Sequence, residues 1–289
     1  MKKNEKNTEA QLLRVPYQSK IDQSERDFFL YLPKNYSADS NQPFPVLMFL
    51  HGNGERGNGK DELDYVMIHG PLYEAWIQKR DLPFVMIVPQ LPMFGFDEMG
   101  LDYIDNRDTS WIPKRLQTGT PPRTIPYQPD YPMIGALQSD TFPNDIKTLP
   151  MGWEQCDEDL MNMLDYVSQN FNIDKNRIYL SGLSYGGFGT WNMASRHPEV
   201  FAAINPIVGW GHPDFMSPIA KNQIPVWAIA GGRDNVIQTK FFYKGINRLE
   251  ELGHNNVRFT VHEDMGHDTW IRVYGGEDIY NWLLSHKKD

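Results

Sequence analysis

Gly182-Leu183-Ser184-Tyr185-Gly186 reads G-x-S-x-G, and its flanks decide how the chain folds. Before it, Arg177 to Ser181 (RIYLS) has the β-branched and aromatic content of a short buried strand. After it, Gly186 to Arg196 (GGFGTWNMASR) reads as a helix packed closely at its first turn. Strand, serine, helix is the setting in which a serine sits on a sharp, strained turn with its hydroxyl lifted clear of the sheet. The turn leaves no room for side chains at 182 and 186, which accounts for the glycines. Without that setting, the same letters would describe a glycine-rich helix start with a capping Ser184.

Working outward, strands and helices alternate. Leu12 to Ser19 and Arg26 to Pro33 are expected as an antiparallel pair, with residues 22–25 as the turn. Val46 to Leu50 (VLMFL) is apolar without alternation, as in a parallel strand covered on both faces. It ends in the glycine-rich loop His51-Gly52-Asn53-Gly54-Glu55-Arg56-Gly57. A short helix over Pro71 to Lys79 and a strand over Phe84 to Pro89 come next. Glu154 to Asn170 has helical spacing (Leu160, Met163, Leu164, Val167). Phe201 to Val208, Pro225 to Ala230 and Val257 to His262 read as strands, Thr239 to Leu252 as an amphipathic helix closed by Gly253, and Ile279 to Leu284 as part of a last helix. This alternation implies right-handed crossovers and a mostly parallel sheet with helices on both faces, in a single α/β domain over 1–289.

One stretch breaks the pattern. Between Gln90 and Gly152 prolines (Pro113, Pro121, Pro122, Pro126, Pro129, Pro132) and aromatics (Phe94, Phe96, Trp111, Tyr127, Tyr131, Phe142) occur without period. Residues 91–152 are therefore expected to be an inserted, ordered lid that touches substrate.

A serine hydroxyl needs a base, and the base needs a group to hold its tautomer. On an open α/β sheet those groups lie past the C-terminal ends of strands. The strand ending at Ala230 runs into Gly231-Gly232-Arg233-Asp234, so Asp234 is the candidate acid; the other reading is a turn aspartate capping the next helix. The strand ending at His262 runs into Glu263-Asp264-Met265-Gly266-His267, so His267 is the candidate base. Asp264 and Asp268 are rival acids, too near His267 in sequence to reach the far side of its ring. His262 lies inside a strand, His197 at a helix end, His254 after a turn and His286 in the tail, all structural positions. Two backbone N–H groups would receive a developing oxyanion. One is that of Tyr185; the other is assigned to Asn53, with Gly54 as the alternative. The glycine-rich loop lacks the G-K-[ST] of a phosphate cradle.

Composition narrows the partners. The 289-residue chain carries a net charge of −9, which argues against nucleic acid and anionic membrane surfaces. The single cysteine, Cys156, precludes an intrachain disulfide and thiolate metal clusters, and is read as a packed thiol. No apolar run reaches the roughly 20 residues of a membrane helix. MKKNEKNTEAQ has no apolar h-region, so the chain as written reads as cytoplasmic, or as an exported protein from which a signal has been removed.

LHGNGERG (50–57), GLSYGG (182–187), GGRDNVI (231–237) and GHDTW (266–270) together resemble the α/β-hydrolase superfamily. Within it the chain is similar to the feruloyl esterases, acetyl-xylan esterases and predicted peptidases related to dienelactone hydrolase, over residues 26–286. The resemblance implies Ser184 as nucleophile, His267 as base, Asp234 as orienting acid and no cofactor or metal. The partner implied is a small-molecule or oligosaccharide ester. Trp210, Trp270 and Trp111, with Tyr185 and Trp153, are read as an aromatic slot for a planar acyl group, against the alternative that they are core, as Trp191 is. A peptidase of prolyl-oligopeptidase type and a non-catalytic binder on the same scaffold are the competing functions.

Overall fold

The computed structural model describes residues 9–118 and 152–288. Among the described residues eight strands form one sheet: β1 (Gln11–Gln18), β2 (Glu25–Leu32), β3 (Phe44–Leu50), β4 (Val85–Val88), β5 (Ile173–Leu183), β6 (Ala203–Ile207), β7 (Val226–Gly231) and β8 (Val257–His262). Their order across the sheet is β1-β2-β4-β3-β5-β6-β7-β8. β1–β2 and β2–β4 pair antiparallel and every later neighbour is parallel. The helices are α1 (Asp102–Asp105), α2 (Asp157–Asn170), α3 (Tyr185–Arg196), α4 (Met216–Lys221), α5 (Phe242–Glu251), α6 (Trp270–Gly275) and α7 (Asp278–Leu284).

The apolar run of β3 has its physical reason in this arrangement. Side chains alternate across a strand. Val46, Met48 and Leu50 join the core covered by α2, α3, α4 and α5, while Leu47 and Phe49 join the core beneath Leu63–Met67, Tyr73–Ile77, α6 and α7. A strand buried on both faces has no polar side to show.

Most expected elements appear within a residue or two. The stretch 71–79 differs in kind, because Tyr73–Ile77 winds as a π-helix. Helices α4 and α6 had no clear period; each is six residues long and too short to display one. Within 91–118 the chain forms short turns at Phe96–Glu98, α1 and Thr109–Trp111. The rest of the expected lid, with Tyr127, Tyr131 and Phe142, lies outside the described residues. Among the described residues no helix is long and apolar enough to cross a membrane.

Candidate active site

Ser184 sits between the end of β5 and the first turn of α3 with φ 52° and ψ −115°. That backbone conformation is strained for a side-chain-bearing residue. Its neighbours hold it: Ser184 N–H donates to Ile207 O at 2.9 Å, and Ser184 O accepts from Phe188 N at 3.1 Å. The flanking glycines are sterically required. A Cβ at Gly182 would lie 2.2 Å from Gly186 O, and one at Gly186 would lie 1.8 Å from Leu50 O.

Asp234 is buried past the end of β7. Its Oδ1 accepts from the backbone N–H groups of Val236 and Ile237, each at 2.8 Å, and its Oδ2 lies 2.8 Å from His267 Nδ1. Both roles read for this aspartate, capping a turn and facing a ring, have a geometric counterpart, one for each oxygen. His267 Nε2 lies 3.0 Å from Ser184 Oγ. A carboxylate only accepts, so Nδ1 carries the ring proton, and Nε2 is left to accept from the Ser184 hydroxyl. The structure therefore brings Ser184, His267 and Asp234 into one hydrogen-bonded chain at the C-terminal rim of the sheet.

The rival acid Asp264 and two of the other histidines are occupied elsewhere. Asp264 makes a two-pronged ion pair with Arg272, at 2.6 and 2.5 Å, which holds its carboxyl down at about 2. His197 pairs with Asp157 at 2.9 Å, and His254 Nε2 lies 2.6 Å from Ile224 O. Cys156 is buried, and burial pushes its thiol up.

Tyr185 is the first residue of α3, and Asn53 begins a short 3-10 helix, Asn53–Glu55. A residue in that position has no intrahelical acceptor for its N–H. The loop carrying Asn53 is anchored through His51. That ring is fully buried, accepts from Leu91 N–H at Nε2 (2.8 Å) and donates from Nδ1 to Gly52 O (2.7 Å). Burial drives its pKa to about 3, so it is neutral. Glu55 is buried beside it. Burial raises its carboxyl to about 7, against the pull of the Gly52 and Glu55 N–H groups and Arg107.

The aromatic slot needs correction. Trp210 is 1% exposed, packed against Phe188 and Phe241 in a core cluster, so it shows no face to a ligand. Trp153 is equally enclosed, its N–H donating to His51 O. Trp191 is core, as expected. Trp111 is 51% exposed. Trp270 alone of these indoles stands against the candidate base, edge-on to His267 at 5.1 Å and 5.5 Å from His69. It borders a cavity of about 200 Å³ together with Ile68, His69, Gly70, Tyr73 and Ile271. His69, Glu55, Arg56 and Arg107 did not stand out in the sequence. Glu55 and Arg56 lie in a glycine-rich loop, where charged residues ordinarily face water, and nothing in the letters set His69 or Arg107 apart.

Comparison with known proteins adds context. A model of the prolyl oligopeptidase family matches residues 132–217. A probable acetylxylan esterase A of Neosartorya fischeri is 29% identical over 99 residues, 34% of this chain and 26% of that protein. The chain thus spans about a quarter of that relative's length. Among solved structures, a thermostable esterase superposes with TM-score 0.62 at 23% identity, over 96% of this chain and 63% of that one. A CE1 ferulic acid esterase from Anaeromyces mucronatus superposes with TM-score 0.53 at 16% identity, over 98% of this chain and 93% of the other. At such identities the superpositions establish a shared fold.

Proposed function

We propose that this member of the α/β-hydrolase superfamily is a serine carboxylesterase. The observation that carries the reading is the hydrogen-bonded chain from Asp234 through His267 to a serine held at positive φ on a strand-to-helix turn. In this reading Ser184 Oγ attacks the ester carbonyl while His267 Nε2 takes its proton. Asp234 holds the ring in the tautomer that leaves Nε2 free to accept, and stabilises the imidazolium. The oxyanion is received by the N–H groups of Tyr185 and of Asn53 or Gly54. His267 then protonates the leaving alcohol. Water, deprotonated by the same nitrogen, releases the acid and restores Ser184.

The substrate class rests on similarity and on one surface. One similar protein is named as a probable acetylxylan esterase, another as a poly(3-hydroxyalkanoate) depolymerase, and a neighbour of the same fold as a ferulic acid esterase. The cavity beside Trp270 offers an aromatic wall next to the base, suited to an aryl or acyl group of a plant-polysaccharide ester. The matching prolyl oligopeptidase model favours a second reading, a peptidase using the same residues.

A substrate panel separates them. Methyl ferulate, p-nitrophenyl acetate and acetylated xylan should turn over, and aminoacyl-proline amides should not. Preferred cleavage of the amides would replace the esterase reading with the peptidase one. A fluorophosphonate probe should label wild-type protein and spare Ser184→Ala. A folded wild type that stays unlabelled and hydrolyses none of these would leave a binder on a hydrolase scaffold.

A further inference from the structure

Arg56 is 1% exposed, an unusual place for a guanidinium, which is costly to remove from water unless its N–H groups find acceptors. Its Nε donates to Asn53 Oδ1, and its Nη1 donates to Pro92 O at 2.7 Å. Its plane lies over two rings, Phe96 at 4.1 Å and Tyr185 at 5.1 Å. A Cβ at Gly152 would come within 3.0 Å of its Nη2. One side chain therefore touches both residues assigned as oxyanion donors, Asn53 and Tyr185, and both flanks of the segment between β4 and α2.

Two residues of that segment reinforce the contact. Tyr103 Oη accepts from Asn53 Nδ2 at 2.6 Å. Arg107 donates from Nη1 to the carbonyls of Arg56 and Gly54 and from Nη2 to Glu62 at 2.8 Å, with its guanidinium 4.4 Å from the Tyr65 ring centre. The side chain of Asn53 and the carbonyls after it are thus held from the 92–107 side.

We infer that Arg56 is a positioning residue: it fixes the Asn53 loop relative to Tyr185, and residues 92–107 brace the oxyanion site through it. This rests on the esterase reading above. The physical reason is that oxyanion donors act through bonds that strengthen in the transition state, so their spacing governs the rate more than substrate binding. A misplacement of about 1 Å is enough to lose on the order of 10²-fold in rate.

The test uses phenyl acetate for turnover and phenylboronic acid as a tetrahedral adduct of Ser184, on Arg56→Met, Tyr103→Phe and Arg107→Met. Thermal melts establish that each variant is folded. Arg56→Met should lower kcat on the order of 10²-fold, leave KM within about twofold, and weaken phenylboronic acid by a factor similar to the kcat loss. Tyr103→Phe and Arg107→Met should show the same pattern at roughly 3–10-fold. A folded Arg56→Met with wild-type kcat and boronate affinity, or one that raises KM alone, overturns the inference. Should Arg56→Met not fold, wild-type kcat and boronate affinity in both other variants overturn it. A wild type that neither turns over ester nor binds boronate removes the esterase reading and this inference with it.

Discussion

Asp234 and Asn53 occupy opposite sides of Ser184 and are held by opposite means. Asp234 takes its fixed position from its own turn, through the N–H groups two and three residues on. Asn53 is held by Tyr103, 50 residues away, and by Arg56, itself tied to Pro92, 36 residues away. The Asp234 carboxylate is capped within its own turn, which backbone bonds from Gly232 and Arg233 tie to the end of β8 and the loop after it, whereas Asn53 is held by side chains brought from the 92–107 segment. A local turn survives in any chain that forms the sheet. A long-range brace exists only when the intervening segment is docked, so the β3 side is where this fold has room to tune rate or stability.

Four substitutions bear on that contrast. The largest effect is expected from Asp234→Asn. The amide keeps an oxygen for Val236 and Ile237 N–H, so the turn should stand and the melting temperature should change little. It cannot accept from His267 Nδ1 as before, and kcat on ester should fall on the order of 10⁴-fold. A large drop in melting temperature instead would show that the turn depends on the charge, and would break the claim of local assembly.

Next comes steric tolerance. Gly186→Ala forces a Cβ against the Leu50 carbonyl, backbone on backbone, and should cost more than about 4 kcal/mol or abolish folding. Gly54→Ala meets no atom within 4 Å and should stay within about 1 kcal/mol of wild type in urea titration. Equal penalties would erase the distinction between the rigid elbow and the roomier loop.

The smallest effect is a pH dependence seated on the β3 side. Glu55 titrates near its ordinary 4.5 when unfolded and at about 7 when folded. The native state then binds the proton that the unfolded state has released, so stability is fully present below about pH 4.5 and is lost as pH rises through about 7. Relative to Glu55→Gln, wild-type stability should fall by about 3 kcal/mol across that window. A constant difference between the two proteins from pH 4 to 8 would show that Glu55 is solvated.

The order of the strands and the longer helices, the elbow, and the convergence of Ser184, Asp234 and His267 were legible in the letters. Each depends on constraints that act over a few residues: alternation across a strand, glycine where backbones nearly touch, polar residues just past a strand end. The sequence could not say which tryptophan would be wall and which core, since Trp210 and Trp270 both come after strands and differ only in what packs over them. Nor could it reveal the buried Arg56, or Glu55 with its raised pKa. Burial of a charged side chain depends on partners brought from positions far along the chain, and only the folded arrangement decides where those partners meet.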